Sequence, residues 1–251
     1  MTENAPSQSG NKGSGVVRIA SVAALGGLLF GYDSAVINGA VSAIEDEFQV
    51  TSGPLGFAVA SALIGAALGA FFGGRIADRI GRLKVMKIAA LLFFLSAVGC
   101  AIAMNLPFFI VFRFVGGLGV GIASVIAPAY IAETSPPGIR GRLGSLQQLA
   151  IVSGIFASFA INYLLQWLAG GPNEPLWVGL DAWRWMFIAM AVPAVLYGVL
   201  AFTIPESPRY LVGKGRNEEA ARVLAALPKE AIGRTIRIIL FCGEKVGLFG
   251  S

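Results

Sequence analysis

The stretch Ile19–Ala40, IASVAALGGLLFGYDSAVINGA, is long enough to cross a bilayer as a helix, yet it carries one ionisable residue, Asp33. A carboxylate at such a depth is costly unless it is paired or functional. Only one other charge lies well inside an apolar run, and it is Arg113. A lone acid and a lone base, both in membrane, imply a proton-linked pathway.

Working outward, five further runs have spanning length: Leu55–Gly74, Val85–Met104, Phe108–Ile131, Leu143–Leu165 and Trp185–Ile204. Apolar residues make up 56% of the 251-residue chain and charged ones 13%. Mean hydropathy is +0.74, far from that of a soluble domain. With no alternating strand pattern, helices are the available way to satisfy backbone groups in hydrocarbon. The fold class is therefore an all-α membrane protein with six transmembrane helices.

Several function classes fall away. Histidine is absent, which removes His-based catalysis, His metal ligands and a His proton relay. Cys100 and Cys242 have no disulfide or metal spacing. The string Gly116–Gly121, GGLGVG, lacks the spacing of a phosphate loop and lies inside a span. No nucleophile–base set remains, so no enzyme, no cofactor and no metal are expected. Residues 1–18 are small and polar, read as a disordered tail, and show no cleavable signal peptide.

The net charge of +5 has a topological origin. All Lys and Arg except Arg113 and Arg184 fall before the first span, between the second and third, between the fourth and fifth, or after the sixth. By the positive-inside rule that face, with both termini, is cytoplasmic. Glu45, Asp46, Glu47, Glu174 and Asp181 lie on the opposite face. This pattern is topology, and no nucleic-acid partner is implied.

The two buried charges lie at matching depth. Asp33 is seven residues before the outer end of its run, about 10 Å down, and Arg113 is five residues after Phe108, about 8 Å down. An Arg alongside favours the ionised acid, whereas desolvation opposes it. Such a group can load and release a proton as its surroundings alternate; the alternative is a static pair that fixes helix packing.

Gly65, Gly69 and Gly73 form a smooth stripe on the second span, and Gly117 with Gly121 does so on the fourth, as close helix packing requires. Three cytoplasmic connections mix acids and bases. In GGRIADRIGRLK, Asp78 and Arg79 end one helix, Gly81 turns, and Arg82 starts the next. In PAYIAETSPPGIRGRLGSLQQL, Glu133 is expected to pair with Arg140 and Arg142. In IPESPRYL, Glu206 accompanies Arg209. Together they form either a network that opens and closes or surface pairs worth little each.

These motifs, together with Gly26–Ala40, Arg113–Leu149 and Trp183–Phe187, resemble the amino-terminal half of a major facilitator superfamily sugar porter, over about Val16 to Leu227. The resemblance implies two inverted three-helix repeats and sugar bound between two halves. It implies that Asp33 carries the proton with Arg113 as partner. It implies that Gln148 hydrogen-bonds sugar hydroxyls, for which a carboxamide offers donors and an acceptor. Phe30 and Ile155 would be apolar walls of that site. Asp78, Arg79, Arg82, Glu133, Arg140, Glu206 and Arg209 would form the cytoplasmic gate. Met190 stands where some proton-coupled members have a second acid, so coupling would rest on Asp33.

The expected function is monosaccharide transport, of a hexose or pentose, in symport with protons across the cell membrane. The alternatives are a facilitative uniporter, or a six-helix membrane protein without transport. The expected partners are sugar, protons, lipid and a carboxyl-terminal six-helix half. Residues 205–230 read as the start of a cytoplasmic helical linker, with Asn217 as a cap and Pro228 as a stop. Residues 231–251 lose the resemblance and read as truncation or an altered frame, or as an interfacial segment.

Overall fold

The computed structural model describes residues 10–135 and 138–226. Its elements are α1 (Gly10–Val36), a 3-10 turn (Ile37–Gly39), α2 (Val41–Phe48), α3 (Ser52–Ile80), α4 (Arg82–Ala101), α5 (Leu106–Thr134) and α6 (Arg140–Ala169). They continue with a hairpin of β1 (Pro175–Trp177) and β2 (Leu180–Asp181), then α7 (Ala182–Leu200), α8 (Pro208–Gly213) and α9 (Asn217–Ala226). Six of these, α1 and α3 to α7, are long and apolar enough to cross a membrane.

Three details depart from expectation. Within the tail read as disordered, helix α1 already begins at Gly10, because extending a formed helix adds a hydrogen bond per residue without a new nucleus. At its other end α1 stops at Val36 and tightens into the 3-10 turn, so Asp33 lies within a turn of the helix end. The connection from α6 to α7 contains a short hairpin that no alternating pattern announces. The segment 231–251 and the stop at Pro228 lie outside the described residues.

Helix boundaries follow local chemistry. Asn105 caps α5 by accepting from the Phe108 amide at 2.9 Å, and Pro107 stands in the first turn, where its missing N–H costs nothing. Gly81 joins α3 to α4 at φ +103, a backbone conformation that side chains disfavour.

Two intimate crossings organise the bundle: α3 against α5, and α1 against α6. A Cβ added to Gly121 would stand 2.6 Å from the Ala70 nitrogen, and one on Gly154 would stand 2.9 Å from the Leu28 carbonyl carbon. Small residues thus let these backbones touch, the usual packing device in lipid. Exchanging spans α1, α3 and α4 for α5, α6 and α7 converts one crossing into the other and maps the α4–α7 contact onto itself. The first and fourth spans run in opposite directions, so the two three-helix repeats are inverted.

The bundle has a basic and an acidic end. At the basic end the Arg18 guanidinium donates to the Thr203 carbonyl at 2.9 Å, bringing the start of the first span to the end of the last. At the acidic end Phe48, Phe109, Trp183 and Phe187 pack edge to face. Trp183 donates its indole N–H to Glu47 at 2.8 Å, and Glu47 also pairs with Arg184. Arg184 donates to the carbonyls of Ala101 and Ala103, which the end of α4 leaves free.

Candidate functional site

Asp33 and Arg113 meet. The Arg113 Nη1 donates to Asp33 Oδ1 at 2.9 Å, and each side chain is 3% exposed. The Arg113 Nε has no partner among the described residues. In this dry setting the pair is strongly coupled, and removing either charge would strand the other. Neighbouring contacts hold α1 in place. The Tyr32 hydroxyl donates to the Met186 carbonyl at 3.1 Å. Asn162 and Gln166 of α6 donate to the carbonyls of Val36 and Gly39 at 3.1 and 3.0 Å, satisfying the frayed end of α1. Their signal in the sequence is a pair of carboxamides four residues apart within an apolar run.

On the basic side of the pair, reached by α1 one helical turn before Asp33, lies a cavity of about 310 Å³ lined by Phe30, Ser124, Pro128, Gly144, Gln147, Gln148 and Ile151. Gln148 is exposed to it, whereas Gln147 is mostly buried against α1. Phe30 forms one wall. Ile155 does not line it; one helical turn beyond Ile151, its backbone packs on Gly31 instead. Ser124 and Pro128 escaped sequence reasoning because neither carries a recognisable signal inside an apolar helix.

The charged cluster at the basic end centres on Arg82. Its Nε and Nη2 donate to Glu133 at 3.1 Å each, its Nη2 pairs with Asp78 at 2.8 Å, and its Nη1 donates to the Ala77 carbonyl at 3.0 Å. Ser207 adds a 2.5 Å hydrogen bond to Glu133. Glu206 accepts from the backbone amides of Arg82 and Leu83 at 3.0 and 3.3 Å, capping α4 with a carboxylate. A side chain on Gly81 would collide with this carboxylate, so the glycine makes room for the cap.

The expected pairing of Glu133 with Arg140 and Arg142 is not what forms. Glu133 sits on the last turn of α5 facing α4, and Arg82 occupies it; Arg140 donates instead to the Ser135 carbonyl at 3.4 Å. Glu206 likewise takes backbone amides and forms no ion pair with Arg209 among the described residues. Arg209 lines a shallow pocket with Asp78, Arg82, Tyr210 and Lys214. Arg79 enters through its backbone carbonyl, which accepts from Tyr210 at 3.3 Å.

Fold and site together define a polytopic helical membrane protein with a buried ion pair, a cavity and a charged cluster at its basic end. A family model described as sugar (and other) transporter matches residues 19–236. The chain belongs to the sugar transporter family of the major facilitator superfamily, a family of transporters and not of enzymes.

The chain is 56% identical to a glucose transport protein of Synechocystis sp. over 222 residues, covering 88% of this chain and 47% of the relative. It is 39% identical to the D-xylose-proton symporter of Escherichia coli over 247 residues, covering 88% and 49%. Among solved structures, the proton:xylose symporter XylE bound to 6-bromo-6-deoxy-D-glucose superposes with a TM-score of 0.80 at 39% identity, covering 90% of this chain and 51% of that one. The partially occluded inward open form of XylE from E. coli gives 0.79 at 38% identity, covering 93% and 59%. The chain thus spans about half the length of the curated relatives it matches.

Proposed function

We propose that this chain supplies one six-helix half of a monosaccharide carrier that moves a hexose or pentose together with protons. The observation that carries the reading is the dry Asp33–Arg113 pair one helical turn along α1 from Phe30, which with Gln148 walls a cavity. Protonating Asp33 removes the charge that Arg113 holds, loosening α1 from α5. Gln148 offers the sugar both donors and an acceptor while having no protein partner of its own among the described residues. Sugar in the cavity and a proton on Asp33 then favour the same movement of the bundle, which is what coupling requires.

In this reading a second six-helix half completes the cavity. The resemblance to the D-xylose-proton symporter supports the proton; the resemblance to the glucose transport protein supports only sugar. The positive-inside rule, applied to the basic loops, supports a cytoplasmic side for both termini. The Arg82–Glu133–Glu206 cluster, with Asp78 and Tyr210, acts as the cytoplasmic gate.

Uptake measured with both halves present tests the reading. Wild type accumulates sugar against its gradient and alkalinises the medium on sugar addition. Asp33→Asn retains exchange of labelled for unlabelled sugar but loses accumulation. Accumulation that survives Asp33→Asn overturns the proton claim, and sugar entry without alkalinisation establishes a uniporter. No sugar binding by the 251-residue chain with or without a separately expressed carboxyl half overturns transport altogether.

A further inference from the structure

The hairpin between α6 and α7 turns on Val178 and Gly179, whose φ angles are +58 and +72. A two-residue turn with both central residues left-handed favours Asn-Gly, since Asn tolerates that backbone. A β-branched residue there is an outlier with a conformational cost. Val178 is also 91% exposed, so nothing within the described chain compensates for either the strain or the apolar surface. Strain of this kind persists where something outside the turn favours it.

The surroundings say what that is. Leu176 packs toward the core, while Trp177 points outward and stacks edge-on against Trp185, ring centroids 5.4 Å apart. The Trp185 indole N–H donates to the Trp177 carbonyl at 3.2 Å. Trp185 stands half-buried in the first turn of α7, and further along this span Val192, Val195 and Val199 are exposed, on the side that the bundle leaves uncovered. The hairpin therefore folds over the end of a bilayer-facing stripe. Its indoles sit at the helix end, where tryptophan meets the headgroup level. A tip aimed at water has no use for valine; one aimed at lipid does.

We propose that Val178 is an interfacial wedge: it enters the boundary between headgroups and acyl chains of the leaflet at the acidic end, flanked by Trp177 and Trp185. The partner is the lipid surface itself. The wedge fixes how deep α7 sits and which way it is rotated, as interfacial anchors do.

The 251-residue chain in phosphatidylcholine liposomes tests this, in a background carrying Cys100→Ala and Cys242→Ser. A bimane label is placed on Val178→Cys, with Asp46→Cys as the reference on the same end. A nitroxide near the lipid headgroup is expected to quench the label at position 178 several-fold more than that at 46, and aqueous iodide to do the reverse. Iodide quenching both alike while the nitroxide spares position 178 overturns the wedge. Val178→Asn gives an independent readout, because it suits the left-handed backbone and removes the apolar tip. Brominated-lipid quenching of tryptophan emission is expected to fall in that variant; unchanged quenching in a folded Asn variant counts against the proposal. Neither measurement depends on transport.

Discussion

Arg82 on α4 and Glu133 on α5 are joined by two nearly parallel hydrogen bonds of 3.1 Å, a guanidinium fork on a carboxylate that is itself only 8% exposed. Bidentate geometry of this kind belongs to Arg and not to Lys. Glu133→Gln keeps the shape but loses charge and one acceptor, and Arg82→Lys keeps charge but loses the fork. Each is expected to destabilise the bundle by about 1–3 kcal/mol, and Arg82→Ala, which strands Glu133, by about 3–5 kcal/mol. Thermal unfolding in detergent checks the order; Arg82→Lys behaving as wild type would deny the fork any role.

The Asp33–Arg113 pair makes a sharper prediction because it is drier. Arg113→Leu leaves a carboxylate buried without its partner and is expected to cost about 3–5 kcal/mol. Adding Asp33→Asn to it removes the stranded charge, so the double variant should be more stable than Arg113→Leu alone. A double-mutant cycle on unfolding midpoints reads this directly. Additive losses would mean that the two side chains act independently despite their 2.9 Å contact.

The glycine stripes differ in what they permit. At Gly121 a Cβ would stand 2.6 Å from the Ala70 nitrogen, so Gly121→Ala forces α3 and α5 apart. The expected cost is about 1–3 kcal/mol. At Gly74 the nearest atom is Val125 Cγ1 at 3.9 Å, so Gly74→Ala should be near neutral or slightly stabilising. Equal unfolding midpoints for the two variants would contradict the close α3–α5 approach.

How far these features were legible in the sequence depended on whether they were local. The spans were readable from their length, and the Asp33–Arg113 pair was foreshadowed by helical rise, which puts the two lone charges of the first and fourth spans at matching depth. The Gly81 turn was readable because its chemistry is confined to a few residues. The partner of Glu133 was not: Arg140 is nearer in sequence, but the end of α5 faces α4, and only the tertiary arrangement brings Arg82 there. The hairpin escaped for the opposite reason, since Val178-Gly179 lacks the Asn or Asp that normally marks such a turn. Ile155 was placed in the site by resemblance, yet the cavity ends at Ile151.

That cavity sets the last prediction. Gln147 and Gln148 are adjacent and both line the cavity, but Gln148 is exposed, while Gln147 is 8% exposed and packs beneath Gly27. Gln148→Leu therefore leaves the helix packing intact and removes the hydrogen bonds offered to a sugar. Sugar affinity should fall about 10- to 100-fold, the equivalent of one or two well-made hydrogen bonds, with an unchanged unfolding midpoint. Gln147→Leu should show the reverse balance, a shifted midpoint with a smaller effect on affinity, because its side chain serves the α1–α6 crossing. Equilibrium binding of labelled sugar to the assembled carrier, set beside unfolding of the same variants, separates the two. If Gln147→Leu carried the loss of affinity while Gln148→Leu did not, the sugar would have to be approached from the α1 side and the site redrawn around that crossing.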